Sequence, residues 1–190
     1  MRAWLKSVVG SASTQSKPST FSGCGVYLTT EVHSARYTTG PFSPSHLIES
    51  LSRILGYQSA VIEKHGGHIE QFVGDCIVAY WRPSDPTNLA TCARHAAEEL
   101  IRGKMKVPDL VYSLRIGFAV AELAGAYFGP VSRERFQVIG KARDRANHLP
   151  RFLVANDFIV TDAQTWVAMP VATRTGFVAF GPAAYALQLD

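Results

Sequence analysis

Asp144 and His148 stand four residues apart in a segment with helical spacing, so they share one helix face and could form a hydrogen-bonded acid–base pair. Two other acidic residues stand at conspicuous places. Asp75 follows Gly74 between two short apolar runs, and Glu31 closes a β-rich run. Taken alone, Asp75 reads as a turn residue chosen for its tolerance of the left-handed region, and Glu31 as a solvated strand end. Gln71 and Gln137 carry amides that both donate and accept. They read equally well as polar residues on the wet faces of their strands. Arg133, Arg135, Lys141, Arg143, Arg145 and Arg151 form the one dense basic run. No aromatic residues interleave with them as they do in single-strand binders, which points to a solvated face rather than a nucleic-acid patch. Cys24, Cys76 and Cys92 make no CxxC pair, so neither a zinc site nor a disulfide framework is predicted. Cys76 and Cys92 sit in apolar patterns and read as buried thiols of a reducing compartment.

The elements that must position these residues follow from periodicity. The chain has 190 residues, 47% hydrophobic and 18% charged, enough for one domain with a core. Its formal charge of +4 and pI near 9.1 suit a phosphate-bearing ligand as well as an acidic surface. No apolar run approaches the ~20 residues of a membrane span. The start, Met1 to Gly10, is too short for a secretory apolar region and predicts a cytoplasmic chain. Residues 1–22 read as a flexible N-terminal segment ending in a Ser/Thr-rich linker, and 23–190 as the globular domain.

Within the domain, Cys24–Thr30 reads as a strand, and Ser43-Pro44 opens a long helix that Gly66-Gly67 stops. His68–Val73 and Cys76–Trp81 form a hairpin turning at Gly74-Asp75. A second helix, Thr87 to Arg102, leads into a strand, Val111–Phe118. That order is βαββαβ, the α+β ferredoxin-like pattern, with an antiparallel sheet and both helices on one face. Strands are then predicted at Glu122–Phe128, Phe136–Ile139, Asp157–Thr161, Phe177–Phe180 and Tyr185–Leu189. Helices are predicted at Lys141–Leu149, cut off by Pro150, and at Asp162–Met169.

Three segments carry a resemblance. VIEKHGGHIEQFVGDCIVAYW (Val61 to Trp81), LRIGFAVAELAGAYFG (Leu114–Gly129) and RFQVIGKARDRANHL (Arg135–Leu149) occur in the order in which class III adenylate and guanylate cyclases carry similar motifs. In register, the resemblance covers Gly23 to the C-terminus. It implies the class III nucleotidyl cyclase fold and an internal phosphoryl transfer, in which a ribose 3′-hydroxyl attacks the α-phosphate of its own nucleoside triphosphate and pyrophosphate leaves. It also implies Mg²⁺ or Mn²⁺, ATP or GTP as the nucleotide, and sites shared across a homodimer or a heterodimer with another cyclase domain.

Carried over position by position, the resemblance makes Glu31 and Asp75 the metal carboxylates, with Glu31 where the family has Asp. Gln71 and Gln137 fall on the base-reading positions. The family's Asn and Arg fall on Asp144 and His148. Asp144 brings negative charge where a polyphosphate must lie, and His148 has one ring in place of a five-donor guanidinium. A slip of three residues would instead restore the Asn-xxx-Arg spacing at Asn147 and Arg151, with Pro150 breaking the helix between them. The implied activity in isolation is weak or lost. The alternatives are a non-catalytic module for dimerisation or nucleotide sensing, and the metal-bearing half of a heterodimeric cyclase.

Overall fold

The computed structural model describes residues 18–37, 43–108, 110–152, 157–181 and 183–189. The stub before Gly10, most of the linker and the side chain of Arg151 lie outside the described residues.

Strand β1 (Phe21–Tyr37) runs well beyond the seven residues expected and starts inside the segment read as linker. Its side chains alternate between two buried faces, which is why it reads as apolar without a clean alternation. Val26, Leu28 and Val32 enter one hydrophobic cluster and Tyr27 enters another. Helix α1 (Pro44–Lys64) begins with proline in its first turn, as predicted, but the Ser43 hydroxyl makes no capping bond. Gly67 is needed where α1 ends, because a Cβ there would meet Ile62 Cγ2 at 2.6 Å and the Trp81 ring at 2.8 Å. The hairpin β2 (His68–Val73) and β3 (Cys76–Trp81) has the predicted bounds. Helix α2 (Pro86–Arg102) is capped by Asp85, whose carboxylate accepts from Thr87 N at 3.4 Å and Asn88 N at 3.1 Å.

One correction concerns the next strand. The two strands predicted at Val111–Phe118 and Glu122–Phe128 are a single 19-residue strand, β4 (Leu110–Phe128). Ala119, Val120 and Ala121 between them contain no turn former. Strand β1 pairs with β4 from Leu110 to Gly125 and holds it extended across the expected break. The other edge of β4 is shared. Residues 115–118 pair in parallel with β6 (Phe158–Asp162), and residues 124–128 pair with β5 (Arg135–Ile139). Helix α3 (Lys141–His148) ends just before Pro150, as predicted, and passes into a 3-10 turn, Leu149–Phe152. Helix α4 (Ala163–Ala168) is shorter than predicted because Asp162 serves as its N-cap, accepting from Thr165 N at 2.7 Å. Strands β7 (Val178–Phe180) and β8 (Ala184–Gln188) complete the chain.

Among the described residues the sheet has eight strands, ordered β2-β3-β1-β4-β6-β8-β7 with β5 on β4. Each of the first four strands is antiparallel to its neighbours among them, in the ferredoxin-like order β2-β3-β1-β4. The fold is α+β, as the motif order implied. Ile54 and Ile62 of α1 and Leu100 of α2 pack with Leu28, Ile116 and Phe118 on one sheet face. Each such side chain contributes about 1.5–3 kcal/mol by leaving water. The opposite face carries a smaller core of Tyr27, Val78, Tyr80, Leu123 and Val138, roofed by Ala142 and Ala146 of α3. No described helix is long and apolar enough to cross a membrane.

Candidate functional site

The sheet brings the two acidic positions together. In the β1–β3 ladder Glu31 stands opposite Cys76, and Val32 N donates to the Asp75 carbonyl at 3.2 Å. Gly74 adopts φ 63°, which makes the sharp turn that presents Asp75. Asp75 is exposed, and its Oδ1 accepts from Cys76 Sγ at 3.6 Å. Glu31 Oε1 lies 3.5 Å from His33 Nδ1. Glu31 lies inside β1 rather than closing it, and its carboxylate with that of Asp75 at the β2–β3 turn matches the oxygen preference of Mg²⁺ or Mn²⁺. Among the described residues no group of three or more His, Cys, Asp or Glu side chains could hold a metal. The donor set therefore fits such an ion only together with water and ligand oxygens.

Glu31 opens onto a cleft of about 300 Å³ between the outer face of β1, β2 and β3 and the flank of α3. Gln71, Cys76, Arg143 and Asn147 line it, with Tyr27 and Thr29 along β1. Thr29 Oγ1 donates to Asn147 Oδ1 at 3.3 Å, and Arg143 Nη1 donates to the Val138 carbonyl at 2.8 Å. Cys76 and Cys92 are half-buried, not fully buried as their apolar contexts suggested, and Cys24 is half-buried too.

Beside the cleft, Glu70 reaches across to β5. Its Oε2 accepts from the Tyr27 hydroxyl at 2.5 Å and its Oε1 from Val138 N at 2.8 Å. Burial first, then the Glu70 carboxylate, push the Tyr27 phenol well above its ordinary range, so it stays protonated as a donor. Strands β2 and β5 are not neighbours in the sheet. Glu70 thus joins the strand that carries Gln71 to the strand that carries Gln137.

No family model matches the chain. Over 122 residues it is 31% identical to mouse adenylate cyclase type 10, a match covering 60% of this chain and 8% of that protein. Among solved structures, the adenylyl cyclase CyaB of Pseudomonas aeruginosa superposes with a TM-score of 0.66 at 18% identity, over 89% of this chain and 94% of that one. The guanylate cyclase domain of RhGC from Catenaria anguillulae, solved with GTP, gives 0.70 at 13% identity, over 90% and 98%. A class III adenylyl cyclase-like ATP-binding protein from Pseudomonas aeruginosa gives 0.65 at 16% identity, over 80% and 36%. This chain has the fold of class III nucleotidyl cyclase catalytic domains.

In this cyclase-like fold the six positions named from the sequence do not meet in one place within the chain. Glu31 and Gln71 share the cleft, and Asp75 adjoins Glu31 through the backbone. Gln137 lies exposed on β5, outside the cleft lining. Asp144 is exposed on α3. His148 lines a separate, mostly apolar cavity of about 440 Å³ with Arg145, Leu149 and Phe180. Ala142 and Ala146 are the buried positions of α3, so the cleft falls to Arg143 and Asn147. The sequence offered Asn147 only in the slipped register with Arg151, and Arg143 only as a member of the basic run. The available signal was their own i, i+4 spacing beside the two buried alanines. Arg145, read with the basic run as part of a solvated face, turns to Asp162, 3.4 Å away.

The Glu70 bridge yields a stability prediction. Glu70→Leu would strand the Tyr27 hydroxyl and the Val138 N–H without acceptors and should cost about 2–3 kcal/mol. Glu70→Gln keeps one acceptor oxygen and should cost less. Urea unfolding of the two variants checks both the size and the order.

Proposed function

We propose that this domain binds a nucleoside triphosphate, ATP or GTP, together with Mg²⁺ or Mn²⁺ as part of a dimer, and forms little or no cyclic nucleotide by itself. One observation carries the reading: the helix positions matching the family's Asn and Arg hold Asp144 and His148, while acidic residues remain at both metal positions. Glu31 and Asp75 would hold the metal, which when bound neutralises charge on the phosphates. In such a cyclisation the protein's own work is positioning and charge stabilisation, with little covalent chemistry. A loss at the positioning helix therefore removes rate more than it removes binding. Gln71 and Gln137 can each donate and accept toward a base edge and favour neither adenine nor guanine. The reading puts the domain in the cytoplasm, where nucleoside triphosphates are available.

The second reading keeps the same nucleotide site in a heterodimer. Acidic metal positions without the Asn and Arg are what the metal-bearing half of a shared site requires. A partner cyclase domain bearing the missing pair would complete it. The third, a non-catalytic module for dimerisation or nucleotide sensing, requires only the fold and the cleft.

The test is calorimetric titration with a non-hydrolysable ATP or GTP analogue in the presence of Mn²⁺. The unmodified protein should bind, and the Glu31→Ala, Asp75→Ala double variant should lose the metal-dependent part of that binding. No binding by the unmodified protein would leave a fold kept for protein contacts alone.

A further inference from the structure

Resting on that reading, we infer that Glu70 is a positioning residue for base recognition: as the extra residue of a β-bulge tied to β1 and β5, it turns Gln71 into the cleft and holds it beside the strand of Gln137. In the β2–β3 ladder His68 pairs with Tyr80 and Ile69 with Ala79, but the next pair is Gln71 with Val78, so Glu70 has no partner of its own. Side chains two apart on a regular strand share a face. Across the bulge they do not. Ile69 packs into the helix-side core, whereas Gln71 lines the cleft on the other face. Phe72 then stands opposite Ile77 of the helix-side core, and Val73 opposite Cys76 at the cleft. Without the extra residue Gln71 would follow Ile69 toward the helices. One inserted residue thus decides which side of the sheet this amide serves.

A bulged residue gives up its place in the ladder, and the Glu70 carboxylate supplies the anchorage that the ladder does not. It accepts from the buried Tyr27 hydroxyl on β1 at 2.5 Å and from Val138 N on β5 at 2.8 Å. Bonds to an ionised acceptor are the stronger kind, and two of them on different strands fix the carboxylate in one orientation. Glu70 directly precedes Gln71, and Val138 directly follows Gln137. The Glu70–Val138 bond therefore ties two strands that are not ladder neighbours, with one amide next to the tie on each strand. All of these residues belong to one chain, so the tie acts in the same way whichever protomer supplies the metal carboxylates. Its effect falls on the base rather than on the phosphates, whose charge a metal at Glu31 and Asp75 neutralises.

The experiment is titration of α,β-methylene-ATP, α,β-methylene-GTP and inorganic tripolyphosphate, each with Mn²⁺, into the full chain and its Glu70 variants, with melting followed in parallel. Glu70→Leu should weaken binding of the preferred analogue roughly tenfold, as loss of a base hydrogen bond does, and leave tripolyphosphate within about twofold. Glu70→Gln keeps one acceptor oxygen and should recover part of the affinity. In a Gln71→Ala, Gln137→Ala background, Glu70→Gln should cost nothing further, because a positioning residue acts only through the groups it positions. If Glu70→Leu melts below the assay temperature, Glu70→Gln and its comparison in that background carry the test. Equal losses for analogue and tripolyphosphate would make Glu70 a purely structural residue and overturn the inference. Unchanged analogue binding in the Glu70 variants, or a further loss in the background lacking both amides, would overturn it as well. Each of these results leaves the proposed function standing. No binding of either analogue by the unmodified chain would overturn both.

Discussion

Asp144→Asn combined with His148→Arg should raise cyclic-nucleotide formation by roughly two orders of magnitude or more over the unmodified domain. The magnitude follows from what preorganised donors contribute where charge develops, ~10²–10³ in rate for one such group. Asp144→Asn removes a negative charge that would repel a polyphosphate and restores an amide. His148→Arg replaces a short ring with a planar fork able to reach phosphate oxygens. Both positions are exposed, so the changes disturb no packing. Asp144 lies in the first turn of α3, where a carboxylate favours the helix dipole, so its loss should cost about 0.3–1 kcal/mol. The measurement is cyclic AMP and cyclic GMP formed from ATP and GTP with Mn²⁺, at several protein concentrations, because residues acting across a dimer lose effect on dilution. Substantial product from the unmodified homodimer would refute the impaired reading. A double variant still at background would shift the defect to Glu31, and Glu31→Asp added as a third change would then be the informative step.

Gly140→Ala should unfold or severely destabilise the domain, by roughly 3 kcal/mol or more from backbone strain and overpacking together. Gly140 links β5 to α3 with φ 131° and ψ 175°, a conformation effectively restricted to glycine. A Cβ there would be driven into the Glu122 carbonyl, which is backbone of β4 and cannot swing aside. Relief would require α3 to lift from Tyr27, Val78 and Leu123 and would open the second core. Because α3 also carries Arg143 and Asn147, the cleft they line should be lost with it. Thermal melting and near-ultraviolet circular dichroism check this. A variant that melts as the parent does, with aromatic signals intact, would contradict the packing argument.

How much of this was legible beforehand varies element by element. The β2–β3 hairpin and helix α2 were read with nearly their final bounds, because local signals specify both. Gly-Asp supplies the turn of the hairpin, and an apolar stripe after a proline specifies the helix. The unity of β4 was not legible. Which strands flank it, β1 throughout on one edge and β6 then β5 on the other, is a long-range fact that local pattern does not carry. Pro150 ends the α-helix as expected, but the 3-10 turn that follows, which tolerates proline, was not foreseen.

The same division holds for the site. The motif order by itself pointed to the fold and to the proximity of Glu31 and the Asp75 turn, and it implied Asp144 and His148 at the family's Asn and Arg positions. Only the tertiary structure decided which flank of α3 meets the cleft. On a helix each residue is rotated about 100° from the last, so three neighbouring positions face three directions. Burial of Ala142 and Ala146 against the sheet turns Arg143 and Asn147 inward and leaves Asp144 in solvent. That rotation comes from packing against β1 and β4, whose residues lie far from α3 in the chain and near it only in the fold.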